Sequence, residues 1–385
     1  MVALQAAREG DPAAAGRHLG RLVLTDFRCY ERQELRLDGR PVVLAGPNGA
    51  GKTNVLEAVS LLSPGRGIRH AKAAEIARIG GSGGFAVAAR IEGGDLAAPV
   101  EIGTAVTPGS ERRQVKRDGS QVTQASLARE LSLLWLTPAM DRLWTEGASG
   151  RRRFLDRLVM ARRPGHAEAH IAYDKAREER LHLLAEGRRD PAWLAVLEER
   201  LAGEGATIAL ARRATVAELN AEMQAGESPF PRADLALTGE VETWPEATAE
   251  AVAARLKATL AAARGRDAEA GAQTVGPHRG DLAVTHAGKG LPAAQCSTGE
   301  QKALLIAIVL AQASLVARGE GRAPLLLLDE VAAHLDPGRR GLLYDLIAGQ
   351  GRQAFLTGTE RSLFAGLEGR AQFFDVRDGQ VAAAA

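Results

Sequence analysis

Val42-Val43-Leu44-Ala45-Gly46-Pro47-Asn48-Gly49-Ala50-Gly51-Lys52-Thr53 decides the fold of this 385-residue chain. Four apolar residues predict a buried strand, and they run straight into a G-x-x-x-x-G-K-[ST] loop. From Thr53 to Leu62 the apolar residues Val55, Leu56, Val59 and Leu62 recur at helical spacing. Strand, glycine loop and helix in this order make a phosphate cradle. Gly46, Gly49 and Gly51 let the backbone close around phosphate oxygens, with Pro47, Asn48 and Ala50 completing the loop. The helix N-terminus adds oriented N–H groups and a partial positive charge. Lys52 is placed to reach the β- and γ-phosphates and Thr53 to ligate Mg²⁺, so ATP and Mg²⁺ are the expected cofactors.

The second half of the site lies far along the chain. Leu325-Leu326-Leu327-Leu328 predicts a parallel strand covered on both faces, ending in Asp329-Glu330. Asp329 is the candidate metal ligand, and Glu330, with Lys52, the candidate catalytic pair, Glu330 polarising water as general base. Upstream, Ser297-Thr298-Gly299-Glu300-Gln301 opens an apolar helix, which makes a second anion site or a plain helix cap. Downstream stands Ala333-His334-Leu335-Asp336. This ordered set resembles the ABC-type ATPases. The resemblance implies a dimer in which Ser297, Gly299 and Asp336 of one subunit approach ATP held by the other. The pattern departs from the family at Thr298, often Gly. It also has Thr357-Gly358-Thr359 where transporters carry a switch histidine, which implies slow turnover, and no clear coupling-loop Gln.

The flanking pattern predicts an α/β fold: an ABC-type P-loop ATPase head with a mixed sheet, split by an inserted, mainly helical lobe. Residues 1–18 read as a flexible extension, 19–150 as the N-terminal half of the head, 151–270 as the lobe and 271–385 as the C-terminal half. Alternating segments at Phe85–Ile91, Val100–Val106 and Arg113–Val122 predict antiparallel hairpins. Long charged helices are expected at His166–Glu186 and Pro191–Gln224.

Composition removes other classes. Hydrophobic residues at 45% and charged residues at 25% exclude a mainly disordered chain. The longest apolar stretch, Leu304 to Ala317, is too short and too interrupted for a membrane span, and no secretory h-region precedes it. Cys29 and Cys296 lack metal-ligand spacing, so a reducing, cytoplasmic setting is expected.

Further blocks are more discriminating. Leu24 to Tyr30, Glu146 to Asp156 with its Arg-Arg-Arg-Phe-Leu-Asp run, Gly276-Pro277-His278-Arg279 and Ser297 to Leu305 resemble the bacterial RecF family of recombination mediators, over residues 20 to 380. Gly280 and Ala139-Met140 depart from it, where acids are usual. The insert of about 110 residues is too short for the arms of the long SMC proteins, reaching less than ~85 Å. The resemblance implies an ATP-dependent homodimer with weak ATPase activity that marks gapped DNA or duplex–single-strand junctions. It would work with RecR and RecO, help RecA load, and serve repair, replication-fork recovery and the SOS response. By the same analogy Arg28 is a candidate for touching ATP, and His278 and Arg279 either line the composite site or form a packed turn.

Net charge is only +2, so a DNA partner must be argued from clusters. Arg66, Arg69 and Lys72 form one, Arg112 and Arg113 a second, and Arg151, Arg152 and Arg153 head a third. Each is a candidate phosphate contact, or a solvated face. Aromatic residues are 4% of the chain, too few for an evident stacking platform, which favours duplex over single strands. The alternatives are an ATP-gated scaffold, a transporter subunit and a defence-type ATPase.

Overall fold

The computed structural model describes residues 16–186, 190–226, 228–320, 323–349 and 352–384. The expected extension at 1–18 lies outside the described residues up to 15. Arg17 and His18 are already tied in: Arg17 pairs with Asp95 at 2.7 Å, and His18 opens the first strand. The strands in chain order are His18–Phe27 (β1), Tyr30–Arg36 (β2), Val42–Ala45 (β3), Phe85–Glu92 (β4), Val100–Val106 (β5), Gln114–Arg117 (β6), Ser120–Val122 (β7) and Leu133–Leu136 (β8). They continue with Ala233–Leu237 (β9), Leu282–His286 (β10), Leu291–Pro292 (β11), Leu325–Leu328 (β12), Ala354–Gly358 (β13), Gln372–Arg377 (β14) and Gln380–Ala383 (β15).

The chain divides into two compact units, residues 1–141 with 312–385, and residues 142–311. The first is the head. One of its sheets is antiparallel in the order β2-β1-β4-β5-β6-β7. The other runs β15-β14-β3-β13-β12-β8, parallel throughout except for β15. β3, β8 and β12 are buried at every position, which is why they read as unbroken apolar runs rather than alternating ones. The helix Lys52–Ser60 is buried from Val55 to Ser60, and its apolar residues share one core with Leu22 and Leu24 of β1 and Phe355 of β13. The apolar burial is what holds this short helix, since nine residues are marginal alone.

The second unit is larger than the lobe expected at 151–270. It starts before the helix Ala148–Arg162 and keeps the chain through 311. The reason is a three-stranded sheet, β11-β10-β9, that ties 282–292 back to 233–237. The helix Pro191–Ala225 packs on β9 and Ala148–Arg162 on β10, while Gly165–Ala185 and Ala249–Ala262 pack against Pro191–Ala225 over a core of Tyr173, Leu201, Ile208, Trp244 and Leu256. Two arginines are fully buried here. Arg180 donates to Asp267 at 2.7 Å and Glu198 at 3.1 Å. Arg212 grips both oxygens of Asp156, at 2.8 and 2.9 Å, and Glu242 at 2.5 Å. Among the described residues one helix, Thr298–Arg318, is long and apolar enough to cross a membrane, but two thirds of it is buried in the protein, as in a core helix.

Candidate functional site

The phosphate loop sits at the C-terminal end of β3, where a parallel sheet offers its ligand crevice. Gly46 has φ 158°, and a Cβ there would lie 2.1 Å from the Val376 carbonyl oxygen, so no larger residue fits. Gly51 is left-handed at φ 115°, with the buried Tyr30 hydroxyl donating to its carbonyl at 3.0 Å. Lys52 is 5% exposed and donates to the carbonyls of Gly46 and Pro47 at 2.7 and 2.8 Å. Burial pushes its ammonium below the usual range, and Glu330 and Asp329 work against that. The ammonium thus lies inside the loop that would wrap phosphates, bonded to groups a phosphate oxygen can replace.

β12 brings the acidic pair to this loop. The Thr53 hydroxyl donates to Asp329, 2.9 Å from Oδ1 and 3.1 Å from Oδ2. A hydroxyl and a carboxylate in contact are an oxygen donor set suited to a hard cation, so the residues fit Mg²⁺. Strand order adds a member that sequence reading noted only as a missing histidine. β13 lies between β3 and β12, so its Thr357 falls between the loop and the acids. The Thr357 hydroxyl donates to Asp329 Oδ1 at 2.8 Å and accepts the Glu330 N–H at 2.9 Å. Glu330 itself is left-handed, φ 54°, a conformation that costs a non-glycine residue about 1–3 kcal/mol and needs such support. No sequence signal placed Thr357 beside Asp329, because its neighbours follow from the strand order.

Other candidates are placed differently. The Arg28 guanidinium bonds Glu57 at 2.5 and 2.8 Å and the Glu75 carbonyl. Ser297 is a helix cap in this structure. Its N–H and hydroxyl reach Glu300 at 3.0 and 2.9 Å, the reciprocal box encoded by Ser-x-x-Glu. Lys289, then Ser297, hold the Glu300 carboxyl down to about 2. Gly299 is exposed in the first turn, with open space around it. Asp336 caps the helix Pro337–Gly349, accepting the Arg339 N–H at 2.9 Å. Of the two readings for His278, the structure has the packed turn: Nε2 meets the Gln273 carbonyl at 2.9 Å and Nδ1 the Tyr173 hydroxyl at 2.8 Å.

The basic clusters sort by exposure. Arg66, Lys72, Arg112 and Arg153 are exposed. Arg69 is exposed but bonded to Glu57 at 2.9 Å and Asn54 at 2.8 Å. Arg113 donates to the Ser63 carbonyl at 3.2 Å and Gln124 at 2.9 Å, and burial pushes it down to about 10. That contact brings the second cluster to the turn after the loop helix, beside the first. Arg151 is locked to Asp281 at 2.7 Å, and Arg152 donates to the Gly280 carbonyl at 2.8 Å.

Residues 18–381 match the RecF/RecN/SMC N-terminal domain. The chain is 50% identical over 368 residues to a DNA replication and repair protein RecF of Rhizobium etli, covering 94% of this chain and 98% of that one. It is 52% identical to the RecF of Caulobacter sp. K31, over 91% and 94%. The chain belongs to the RecF family. A solved structure of the recombination mediator protein RecF with ATP, in the RecFOR pathway, superposes with a TM-score of 0.83 at 23% identity, over 96% of this chain and all of that one. A Pyrococcus furiosus Smc head domain superposes at 0.55 and 19% identity, over 96% of each chain. The fold is therefore the ABC-type ATPase head shared by RecF and SMC proteins.

Proposed function

We propose that this RecF-family chain is an ATP-gated DNA-binding recombination mediator of DNA repair and replication. The observation that carries the reading is the joined site, Thr53 on Asp329 and Asp329 on Thr357, within a chain half identical to curated RecF proteins along nearly its whole length. ATP binds with its phosphates in the Gly46–Thr53 loop, where Lys52 exchanges loop carbonyls for the β- and γ-phosphates. Thr53 and Asp329 would hold Mg²⁺, which neutralises phosphate charge when bound. Glu330 takes a proton from the attacking water. Turnover is slow.

Binding, rather than hydrolysis, closes two copies on each other. Ser297, Gly299 and Asp336 meet the nucleotide of the opposite copy, and Arg28 joins the phosphates once released from Glu57. Arg66, Lys72 and Arg112 of the head contact duplex phosphates, with Arg69 and Arg113 beside them; in the second unit Arg153 does the same, with Arg151 and Arg152 beside it. RecR, RecO and RecA are the partners at gapped or junction DNA in the cytoplasm. Glu330→Gln tests the role of turnover. The variant should keep ATP and DNA binding and fail to restore survival after ultraviolet damage in cells lacking the protein. Full rescue would favour the scaffold reading, in which hydrolysis is incidental.

A further inference from the structure

The second unit carries a cleft of about 790 Å³ that the ATPase does not use. Its walls come from the start of the helix Ala148–Arg162, from the helices Gly165–Ala185 and Pro191–Ala225, and from the Pro277–Arg279 turn. Arg152, Arg153, Arg177 and Arg279 all face it. Arg177 has one partner, Asp174 at 3.3 Å, and its Nε is buried without a hydrogen bond. None of Arg152, Arg153 and Arg279 forms an ion pair among the described residues. Burial pushes the His278 imidazole in the same wall down to about 4, and Arg177, Arg279 and Arg152 push the same way. Asp156 and Asp174 also line the cleft, paired with Arg212 and Arg177, which leaves Arg152, Arg153 and Arg279 as the charges without an ion-pair partner.

The helix Ala148–Arg162 points its N-terminus into this field. Gly147, Ala148 and Ser149 line the cleft, and Gly147 at the cap has no side chain to satisfy the first-turn N–H groups. A helix N-terminus and guanidinium groups both favour oxyanions, phosphate among them. A cation is a poor fit. Asp156, His166 and His170 stand close enough to share one, yet Arg212 already bonds both Asp156 oxygens.

We propose that this cleft is a second phosphate-binding site, separate from the nucleotide loop, which takes the phosphate groups of a phosphodiester chain or of a free polyphosphate. The assignment deepens the DNA reading, which already counts Arg153 as a contact, and rests on it where the occupant is a phosphodiester chain; the free-polyphosphate arm stands without it. Arg153 and Arg279 are the contacts that can be removed without disturbing the fold, because both are exposed and neither holds another side chain.

The test uses the full chain carrying Lys52→Ala, which silences the nucleotide loop, and inorganic tripolyphosphate, which has no base to bind elsewhere. Titration calorimetry should show one saturable site. Adding Arg153→Ser and Arg279→Ser should weaken it at least tenfold with an unchanged melting temperature, whereas Arg66→Ser with Arg112→Ser should leave it as it was. No saturable binding, or equal affinity in the Arg153/Arg279 variant, overturns the proposal. A second arm adds a 20-base-pair duplex. Displacement of tripolyphosphate identifies the phosphodiester backbone as occupant; simultaneous binding identifies a free phosphate compound.

Discussion

Thr357 carries more of the active site than its place in the sequence suggests. One hydroxyl orients the Asp329 carboxylate and pins the backbone of Glu330 in a left-handed turn. A hydrogen bond to a charged group contributes about 1.5–3 kcal/mol, roughly 10- to 100-fold in rate if it is needed in the transition state. Thr357→Val should therefore lower ATPase kcat by at least tenfold while ATP affinity changes less than threefold, and Thr357→Ser should restore most of the rate. Equal loss in both variants would reduce Thr357 to a packing residue. The sequence displayed Lys52, Thr53, Asp329 and Glu330 because their chemistry demands fixed residue types at fixed spacing. Thr357 was hidden because its role follows from strand order, with β13 inserted between β3 and β12. Arg113 misled for a related reason: charge in a sequence does not report burial, and its guanidinium turns inward to Ser63.

At the scale of elements, the capping box Ser297–Glu300 decides what the helix Thr298–Glu320 presents. In the proposed dimer the capping serine would also meet the partner's nucleotide, so a bulky cation there separates the two roles. Ser297→Arg should cost about 1 kcal/mol of stability, leave ATP binding by the monomer intact, and abolish ATP-dependent dimerisation in sedimentation. A variant that still dimerises with ATP would remove the signature from the interface. The lobe holds a second element-level test. Arg180 is the counter-charge for buried Asp267 and shares buried Glu198 with Arg264. Arg180→Ala should destabilise the second unit by about 3–5 kcal/mol, seen as an early unfolding step. Unfolding unchanged would mean that the pair is offset by its own desolvation. The long helices were legible as long charged stretches, and the buried Leu325–Leu328 strand from its apolar run. β9 was not. Its five residues lie among helices, and its partner β10 comes 45 positions later, so neither propensity nor a hairpin turn announces it. The lobe boundary moved from 151–270 to 142–311 for the same reason, since β9 draws β10 and β11 with it.

For the whole molecule, a net charge of +2 conceals an uneven distribution. Head arginines 66 and 112 are exposed beside one another's segments, brought together by Arg113 on Ser63, while acids elsewhere balance the total. Backbone binding by such a surface is electrostatic, weakens with salt, and is indifferent to base sequence. The central claim is that ATP gates this binding. Fluorescence anisotropy of a labelled duplex with ATP, with ADP and without nucleotide, over a salt series, addresses it directly. The account predicts tight binding with ATP only, with a steep logarithmic salt dependence that falls by about one unit for each phosphate-contacting Arg removed. Equal affinity in all three nucleotide states would contradict it, because the nucleotide site and the DNA surface would then be uncoupled.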